Sequence, residues 1–132
     1  MKFDYTLKTS MDIDKVVSAL EETLKEDGFG ILWDFDLTGK LQEKGMNFNT
    51  PYRVLEVCNP KEAQRVLEEN KMVGYFLPCK IVVFEENNET FVGMPKPTAL
   101  IDFMENQKLS GVASDIENRL ITSIETALKA ER

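Results

Sequence analysis

The chain has 132 residues, a length that suits one domain with a substantial hydrophobic core, and we expect residues 1–132 to form a single domain. Its net charge is −7, from 23 acidic and 16 basic residues, and the basic residues are scattered along the chain. Such a charge argues against binding to nucleic acid or to an anionic membrane surface. No apolar run approaches the roughly 20 residues that cross a bilayer, and the first residues lack the apolar segment of a secretory signal. We therefore expect a cytoplasmic protein.

Residue types limit the chemistry that the chain can perform. It contains two cysteines and no histidine, which excludes Ser–His and Cys–His pairs, histidine-ligated metals and an imidazole proton shuttle. Cys58 and Cys79 do not form a CxxC motif, so their spacing predicts neither a redox pair nor a zinc site. In a cytoplasmic protein both are expected to be reduced thiols. The sequence identifies no cofactor and leaves open whether the protein is an enzyme.

The first half of the chain predicts a strand, a helix and a second strand. Alternating apolar residues from Lys2 to Lys8 are typical of a half-buried strand. A helix follows, with an apolar face at helical spacing, a start that Asp12 or Ser10 can cap and an end at Gly28. The segment FGILWDFDL is the second strand, and we expect its apolar row to face the helices and the row that contains Leu32 to face away. The apolar row comprises Phe29, Ile31, Trp33, Phe35 and Leu37.

The second half repeats the order strand, helix, strand and then adds a hairpin partner and two helices. After a polar stretch that we expect to be mainly loop, with room for a single helical turn around Leu41, YRVLEV is the third strand. Asn59 is a helix cap, and Pro60 suits the first helical position of PKEAQRVLEEN. The strand Lys80–Glu85 is followed by the turn NNE and by its hairpin partner TFVGM. A short helix at TALIDFMEN precedes a long one from Ser110 to Arg132.

These elements predict an α+β fold in which a mostly antiparallel sheet of about five strands carries helices packed on one face. The arrangement is a split βαβ, or ferredoxin-like, one with additional C-terminal helices. In a βαβ crossover the two strands run parallel, so Cys58 at the end of one strand and Cys79 at the start of the next are expected about 20 Å apart. We therefore expect neither a disulfide nor a shared metal between them within one subunit.

Cys58 is the candidate catalytic residue. It lies directly before a helix start, where the helix dipole lowers the pKa of a thiol and raises its nucleophilicity. The alternative is that Cys58 is a small buried apolar residue, the commonest role of a free cysteine. Asn59 is a candidate ligand-binding residue, since the same helix N-terminus offers free backbone N–H groups to an anion. Cys79 shares a strand face with apolar residues and is expected to pack in the core.

A second group of candidates consists of charged residues on two strands. Asp34 and Asp36 share one strand face, and with Glu56 of the third strand they can bind a divalent cation or divide acid and base roles. The alternative is a solvated strand face. Arg53 offers a planar guanidinium that binds a carboxylate or phosphate ligand, or else pairs with a neighbouring acid. The ligand-binding candidates are thus Arg53, Asn59, Asp34, Asp36 and Glu56, and no set of residues has the spacing of a metal site.

Three segments resemble a known family. PYRVLEVCNPKEAQRVLEEN and GYFLPCKIVVFEE, with their CNP and LPC sequences, are similar to the domain of unknown function 302 family. EDGFGILWDFDLTGKLQEKG resembles the helix end and second strand of the same family, and the resemblance covers roughly Phe3 to Phe103 in the family's order. It implies a small bacterial or archaeal α+β domain that forms a homodimer. The family has no established activity that the resemblance could transfer.

Composition and resemblance together favour a homodimer that serves as a small-ligand-binding or interaction module. Two observations support this prediction. The chain has no histidine and few residues suited to catalysis, and a second subunit can cover the sheet face that carries no helices. Two alternatives stay open: a thiol-dependent activity centred on Cys58, and a dimer that binds a divalent metal with acids and thiols of both chains. The first predicts an exposed, acidic thiol, and the second predicts a metal bound to the isolated protein.

Overall fold

The computed structural model describes residues 2–129, which form one five-stranded sheet with helices. The strands are β1 (Asp4–Thr9), β2 (Gly30–Asp36), β3 (Tyr52–Cys58), β4 (Cys79–Glu86) and β5 (Glu89–Pro95). The helices are α1 (Ile13–Glu26), α2 (Leu37–Glu43), α3 (Pro60–Glu69), α4 (Pro97–Ile101) and α5 (Gln107–Lys129), with 3₁₀ helices at Lys71–Phe76 and Asp102–Met104. The strand order is β1–β5–β4–β3–β2 with every neighbouring pair antiparallel, which confirms the predicted α+β class. Within residues 2–129 no helix is both long and apolar enough to cross a membrane.

Local sequence signals account for the ends of these elements. Asp12 caps α1, where its Oδ1 accepts a hydrogen bond at 2.9 Å from the backbone N–H three residues later. Gly28 has a φ of +80°, the left-handed conformation that favours glycine after a helix. Asn87 and Asn88 have φ angles of 53° and 65°, which suit the two-residue turn between β4 and β5. The predicted C-terminal helix corresponds to α5, and the prediction for residues 130–132 lies outside the described range.

The helices α1 and α5 pack side by side on one face of the sheet and form the main hydrophobic core with it. The Thr23 hydroxyl of α1 donates a hydrogen bond to the carbonyl oxygen of Ser123 in α5 at 2.9 Å. The predicted packing of helices on one sheet face is therefore confirmed. The fully buried sheet residues of this core are Leu55, Val57, Ile81, Val83 and Val92. A second cluster joins α3, the first 3₁₀ helix, α4 and the start of α5, and its buried members are Val66, Val73, Ile101, Leu109 and Ala113.

The direction of β4 relative to β3 differs from the prediction. β1 and β2 run the same way with three strands between them, so the first half contains the predicted split βαβ unit. β3 and β4 are adjacent and antiparallel, because the chain turns back through the 3₁₀ helix Lys71–Phe76 before β4 begins. Val57 pairs with Cys79, which puts Cys58 and Cys79 at the same end of the sheet. The predicted separation of about 20 Å is therefore wrong, although both cysteines are free thiols.

A β-bulge changes which sheet face the side chains of β2 occupy. Leu32 is an additional residue between two pairs, Ile31 opposite Val57 and Trp33 opposite Glu56. Because side chains alternate along a strand, one additional residue exchanges the two faces for everything that follows it. Beyond the bulge the face prediction is therefore wrong for Trp33, Phe35, Asp34 and Asp36.

Helix α2 occupies part of the stretch that was predicted to be mainly loop. Asp36 caps it, with Oδ1 accepting a hydrogen bond from the N–H of Gly39 at 2.9 Å. The helix is seven residues long and buries none of them, so it has no apolar face that periodicity could detect.

The sheet face opposite α1 and α5 carries aromatic side chains, and we call it the open sheet face. Its members belong to neither hydrophobic cluster of the described residues. Tyr52, Phe84 and Phe91 stack across three strands, with ring centroids 5.3 and 5.1 Å apart. Trp33 stacks on Phe35 at 4.8 Å and is 54% exposed. The open sheet face comprises Trp33, Phe35, Tyr52, Val54, Phe84 and Phe91.

Candidate functional site

An apolar cavity of about 350 Å³ lies between one end of the sheet and the second hydrophobic cluster. Protein interiors contain few voids larger than a water molecule, so a space of this size is a specific feature of the fold. Mostly apolar pockets of roughly 300–1,000 Å³ are typical of small-ligand sites. No sequence pattern predicts this cavity. The residues that line it include Val66, Val73, Leu100, Leu109, Ala113 and Leu120.

The cavity lies where β4 and β5 separate. Their ladder ends at the pair Val82–Gly93, although β4 begins at Cys79 and β5 continues to Pro95. The first residues of β4 stay paired with β3, and the last residues of β5 stay paired with β1. Pro95 has no N–H to donate and Pro78 immediately precedes β4, so further pairing is disfavoured at this end. The facing edges of the two strands therefore border the cavity.

Two charged residues line the cavity on its β3–β4 side, and the strand register places their side chains on the open sheet face, beside Trp33. Glu56 and Lys80 are directly opposite each other in the antiparallel ladder. Lys80 is exposed, so this end of the cavity opens to solvent. The other lining residues within the described chain are apolar, apart from one tyrosine and one cysteine. Glu56, a predicted ligand-binding candidate, is thereby separated from Asp34 and Asp36, which lie on the other sheet face.

The two thiols share a small space. A volume of about 20 Å³ lies between Cys58, Cys79 and the start of α3, which is room for about one water molecule. Burial raises the pKa of the Cys79 thiol to about 11, and the nearby Cys58 adds to the shift. Cys79 also lines the 350 Å³ cavity, as expected for a residue that packs in the interior. The catalytic role of Cys58 stays a prediction.

Asn59 is engaged by groups of its own chain. Its Oδ1 accepts hydrogen bonds from the N–H groups of Lys61 and Glu62 at 3.1 and 3.3 Å, and its Nδ2 donates to the Asp27 carbonyl at 3.4 Å. The residue is 9% exposed. A Cβ atom at Gly28 would lie 3.1 Å from Nδ2, so the end of α1 and the start of α3 approach closely here. Two N–H groups of the predicted anion site thus already have an acceptor, and the ligand-binding role of Asn59 stays a prediction.

Arg53 forms ion pairs with two acids on the helix side of the sheet. Its Nε donates to Oδ1 of Asp34 at 3.0 Å, its Nη2 donates to the other oxygen of that carboxylate, and its Nη1 donates to Oδ1 of Asp14 at 2.6 Å. The hydrogen bonds with Asp34 are the largest cause of the raised pKa of Arg53. Asp36 is close by in sequence but caps α2. Across residues 2–129, no three acidic or cysteine side chains converge as a metal site requires.

Arg119 of α5 forms a polar centre that was not among the predicted site residues. Its Nε donates to Oδ2 of Asp27 at 2.8 Å, and its Nη1 donates to Oε2 of Glu62 at 2.5 Å. The guanidinium carbon lies 5.2 Å from the ring centroid of Phe29. The hydrogen bonds with Asp27 and then with Glu62 raise the pKa of Arg119, which connects α1, α3 and α5. The sequence offers one signal for this role, because Arg119 follows the buried Ile116 by three positions on the same helix face.

The five-stranded antiparallel sheet and the helices packed on it define a small α+β protein, with a cavity at one end of the sheet. The chain belongs to the family described as Domain of unknown function DUF302, which it matches over residues 5–127. It is similar to the crystal structure of an uncharacterized conserved protein DUF302 from Bacillus stearothermophilus, with 52% sequence identity and a TM-score of 0.93. That similarity covers 96% of this chain and 99% of the other. No curated protein matches the chain significantly.

Proposed function

We propose that this protein is a small-ligand-binding module that holds a mostly apolar molecule in the cavity at the end of its sheet. The observation that carries the proposal is the cavity itself, about 350 Å³ with mostly apolar walls. Transfer of apolar ligand surface into such a space is favourable by about 25 cal/mol per Å². Residues of both hydrophobic clusters line it, so a bound molecule would contact the sheet core and the α3–α4 region together.

Titration with n-butylbenzene, an uncharged apolar probe, tests this proposal. Ala113 is buried and lines the cavity, so Ala113→Met fills part of the space without adding a charge. The neighbouring Ser114 is exposed on α5, and Ser114→Met is the matched control. We expect wild-type protein and the control to bind with a Kd on the order of 10–100 µM, and Ala113→Met to bind at least about tenfold more weakly. If calorimetry and NMR detect no binding to wild-type protein, the proposal is wrong.

We further propose that two subunits pair through the open sheet face. This face is a contiguous aromatic surface outside both hydrophobic clusters, and such surfaces are typical of interaction sites. Trp33 is more than half exposed, and aromatic side chains contribute strongly to the binding energy of interfaces. A second copy presents the same surface, which a two-fold axis can place against the first.

Sedimentation analysis of two single variants tests the pairing. Trp33→Ser removes a large aromatic side chain from the open sheet face. Phe103→Ser removes one that is 83% exposed in the 3₁₀ helix after α4, and serves as the matched control. We expect wild-type protein and the control to be dimers at about 10 µM, and Trp33→Ser to dissociate at least about tenfold more readily. A wild-type monomer at that concentration would contradict the pairing.

The two alternative functions have less support. For a thiol-dependent activity centred on Cys58, the space beside the thiol is about 20 Å³, much smaller than a substrate. Its neighbour Cys79 has a raised pKa, which makes it a poor nucleophile at neutral pH. A dimer that binds a divalent metal would need ligands from both subunits, because Asp34 and Asp36 are committed to Arg53 and to the α2 cap.

A further inference from the structure

We infer that the ligand of the cavity is an uncharged amphiphile of about a dozen non-hydrogen atoms, with one hydroxyl or amide end beside Glu56 and Lys80. The inference rests on the proposed ligand-binding function and deepens it by naming a chemical class. It follows from three features of the cavity: its volume, the charges in its wall and the separated strands at its border.

The volume sets the size of the ligand. A cavity of about 150 Å³ is sufficient for benzene, so about 350 Å³ accommodates roughly a dozen non-hydrogen atoms. A lipid with two acyl chains, a nucleotide with its phosphates or a porphyrin exceeds that volume. A single chain of about ten carbons with a small polar end fits it.

The wall charges set the polarity of the ligand. Glu56 and Lys80 face each other in the β3–β4 ladder, so the charged part of the wall contains one acid and one base. A carboxylate or ammonium group beside this pair would be attracted by one charge and repelled by the other, so it would gain little net charge interaction there. A hydroxyl or amide group can donate a hydrogen bond to Glu56 and accept one from Lys80. The pair therefore favours an uncharged polar end over either charged one.

The separated strands supply further uncharged partners. Past Val82–Gly93 the facing edges of β4 and β5 no longer pair with each other, and both edges border the cavity. Backbone N–H and C=O groups are strong hydrogen-bonding groups that carry no net charge. These backbone groups can therefore form hydrogen bonds with a hydroxyl or amide end of the ligand, as Glu56 and Lys80 can.

Three ligands with the same ten-carbon chain test the inference: 1-decanol, decanoate and decylammonium, titrated by calorimetry near pH 7. We expect 1-decanol to bind at least about tenfold more tightly than either ion, because each ion meets a like charge at this pair, whereas the hydroxyl can form hydrogen bonds with both side chains. Equal or tighter binding of decanoate or decylammonium overturns the inference, as does a failure of 1-decanol to bind. If n-butylbenzene binds in that case, only the ligand class is wrong; if n-butylbenzene also fails, the proposed function is wrong.

Charge-removing variants test the role of the Glu56–Lys80 pair directly. Glu56→Gln leaves Lys80 in excess and should improve the affinity of decanoate relative to 1-decanol by about tenfold. Lys80→Gln should do the same for decylammonium. Lys61→Gln, in α3 and outside the cavity wall, is the control and should change neither ratio. Ratios that stay constant in all three variants overturn the assignment of the ligand's polar end to this pair.

Discussion

Cys79 lines both the 350 Å³ cavity and the small space beside Cys58, as do Val66, Leu77 and Ile116. Its pKa is raised from 9.0 to about 11, and cysteine reacts with alkylating agents as the thiolate. At about pH 8 this shift lowers the thiolate fraction about 100-fold, so we expect iodoacetamide to modify Cys79 about 100-fold more slowly than an ordinary thiol. Peptide mass spectrometry measures the rate. In concentrated urea the same cysteine should react at the ordinary rate, and equal rates in both conditions would contradict its burial.

Arg119 holds three helices together through charged hydrogen bonds, and its removal should destabilise the fold. In Arg119→Ala, the carboxylates of Asp27 and Glu62 stay close to each other but lose the guanidinium group that binds both of them. We expect the free energy of unfolding in urea to fall by about 2 kcal/mol. Arg65 makes a single exposed ion pair with Glu62 at 3.0 Å, and Arg65→Ala should cost less than about 0.5 kcal/mol. Equal losses in the two variants would show that Arg119 has no special structural role.

Arg53 and Arg119 also show what sequence patterns predict about polar residues and what they do not. Arg53 interrupts an apolar strand, and this pattern identifies it as a candidate. Of the two predicted roles, a ligand anchor or a partner of a neighbouring acid, the structure contains the ion pair with acids. The partners of Arg119 are 92 and 57 residues away in the chain. Helical periodicity predicts which side of α5 Arg119 occupies, but only the tertiary fold determines which carboxylates lie opposite.

At the scale of elements, the bulge in β2 decides the composition of both sheet faces. Deletion of Leu32 removes the additional residue and leaves the pairs on both sides of it in register. Leu32 is 64% exposed, so the core loses no buried side chain. We therefore expect the deletion to change the free energy of unfolding by no more than about 1 kcal/mol, as measured by chemical denaturation.

Deletion of Val54 from the facing strand is the control for the Leu32 deletion. β3 pairs with β4 without a bulge, so the loss of one residue exchanges the two sheet faces for part of β3. Either a buried residue such as Leu55 then faces solvent, or a charged residue then faces the core. The expected loss exceeds about 3 kcal/mol. If the Leu32 deletion proved as damaging as the Val54 deletion, the bulge would not be where the pairing puts it.

The elements themselves were largely predictable, and their exceptions have physical reasons. All five strands and the helices α1, α3, α4 and α5 carry apolar patterns or caps that local rules detect. The bulge was not predictable, because Leu32 is apolar and fits either face of a strand. The antiparallel pairing of β3 and β4 was missed because a helix between two strands usually implies a parallel crossover, whereas here the 3₁₀ helix Lys71–Phe76 returns the chain to the same end of the sheet.

At the scale of the whole molecule, the cavity separates two hydrophobic clusters of unequal size. The main cluster spans α1, α5 and the sheet, whereas the second holds only the small group Val66, Val73, Ile101, Leu109 and Ala113. The cavity was not predictable from sequence because its walls combine three strands, three α-helices and a 3₁₀ helix that no local pattern relates. A small cluster beside an open space buries less apolar surface per residue, and such regions open locally before the whole protein unfolds.

Hydrogen exchange measures this difference in local stability and connects it to the proposed ligand. We expect amides of α3 and α4 to exchange with an opening free energy at least about 2 kcal/mol lower than amides in the middle of β3 and β4. A ligand in the cavity binds only while the second cluster is formed, so n-butylbenzene at about 100 times its Kd should raise the opening free energy of α3 and α4 by about 2.7 kcal/mol. Helix α2 is the control, because it contributes nothing to the cavity wall and should exchange at the same rate with and without the ligand. If the amides of α3 and α4 exchange as slowly as those of the central strands, the cavity region belongs to one cooperative core. If the ligand slows exchange in α2 as much as in α3 and α4, its effect does not come from binding in the cavity.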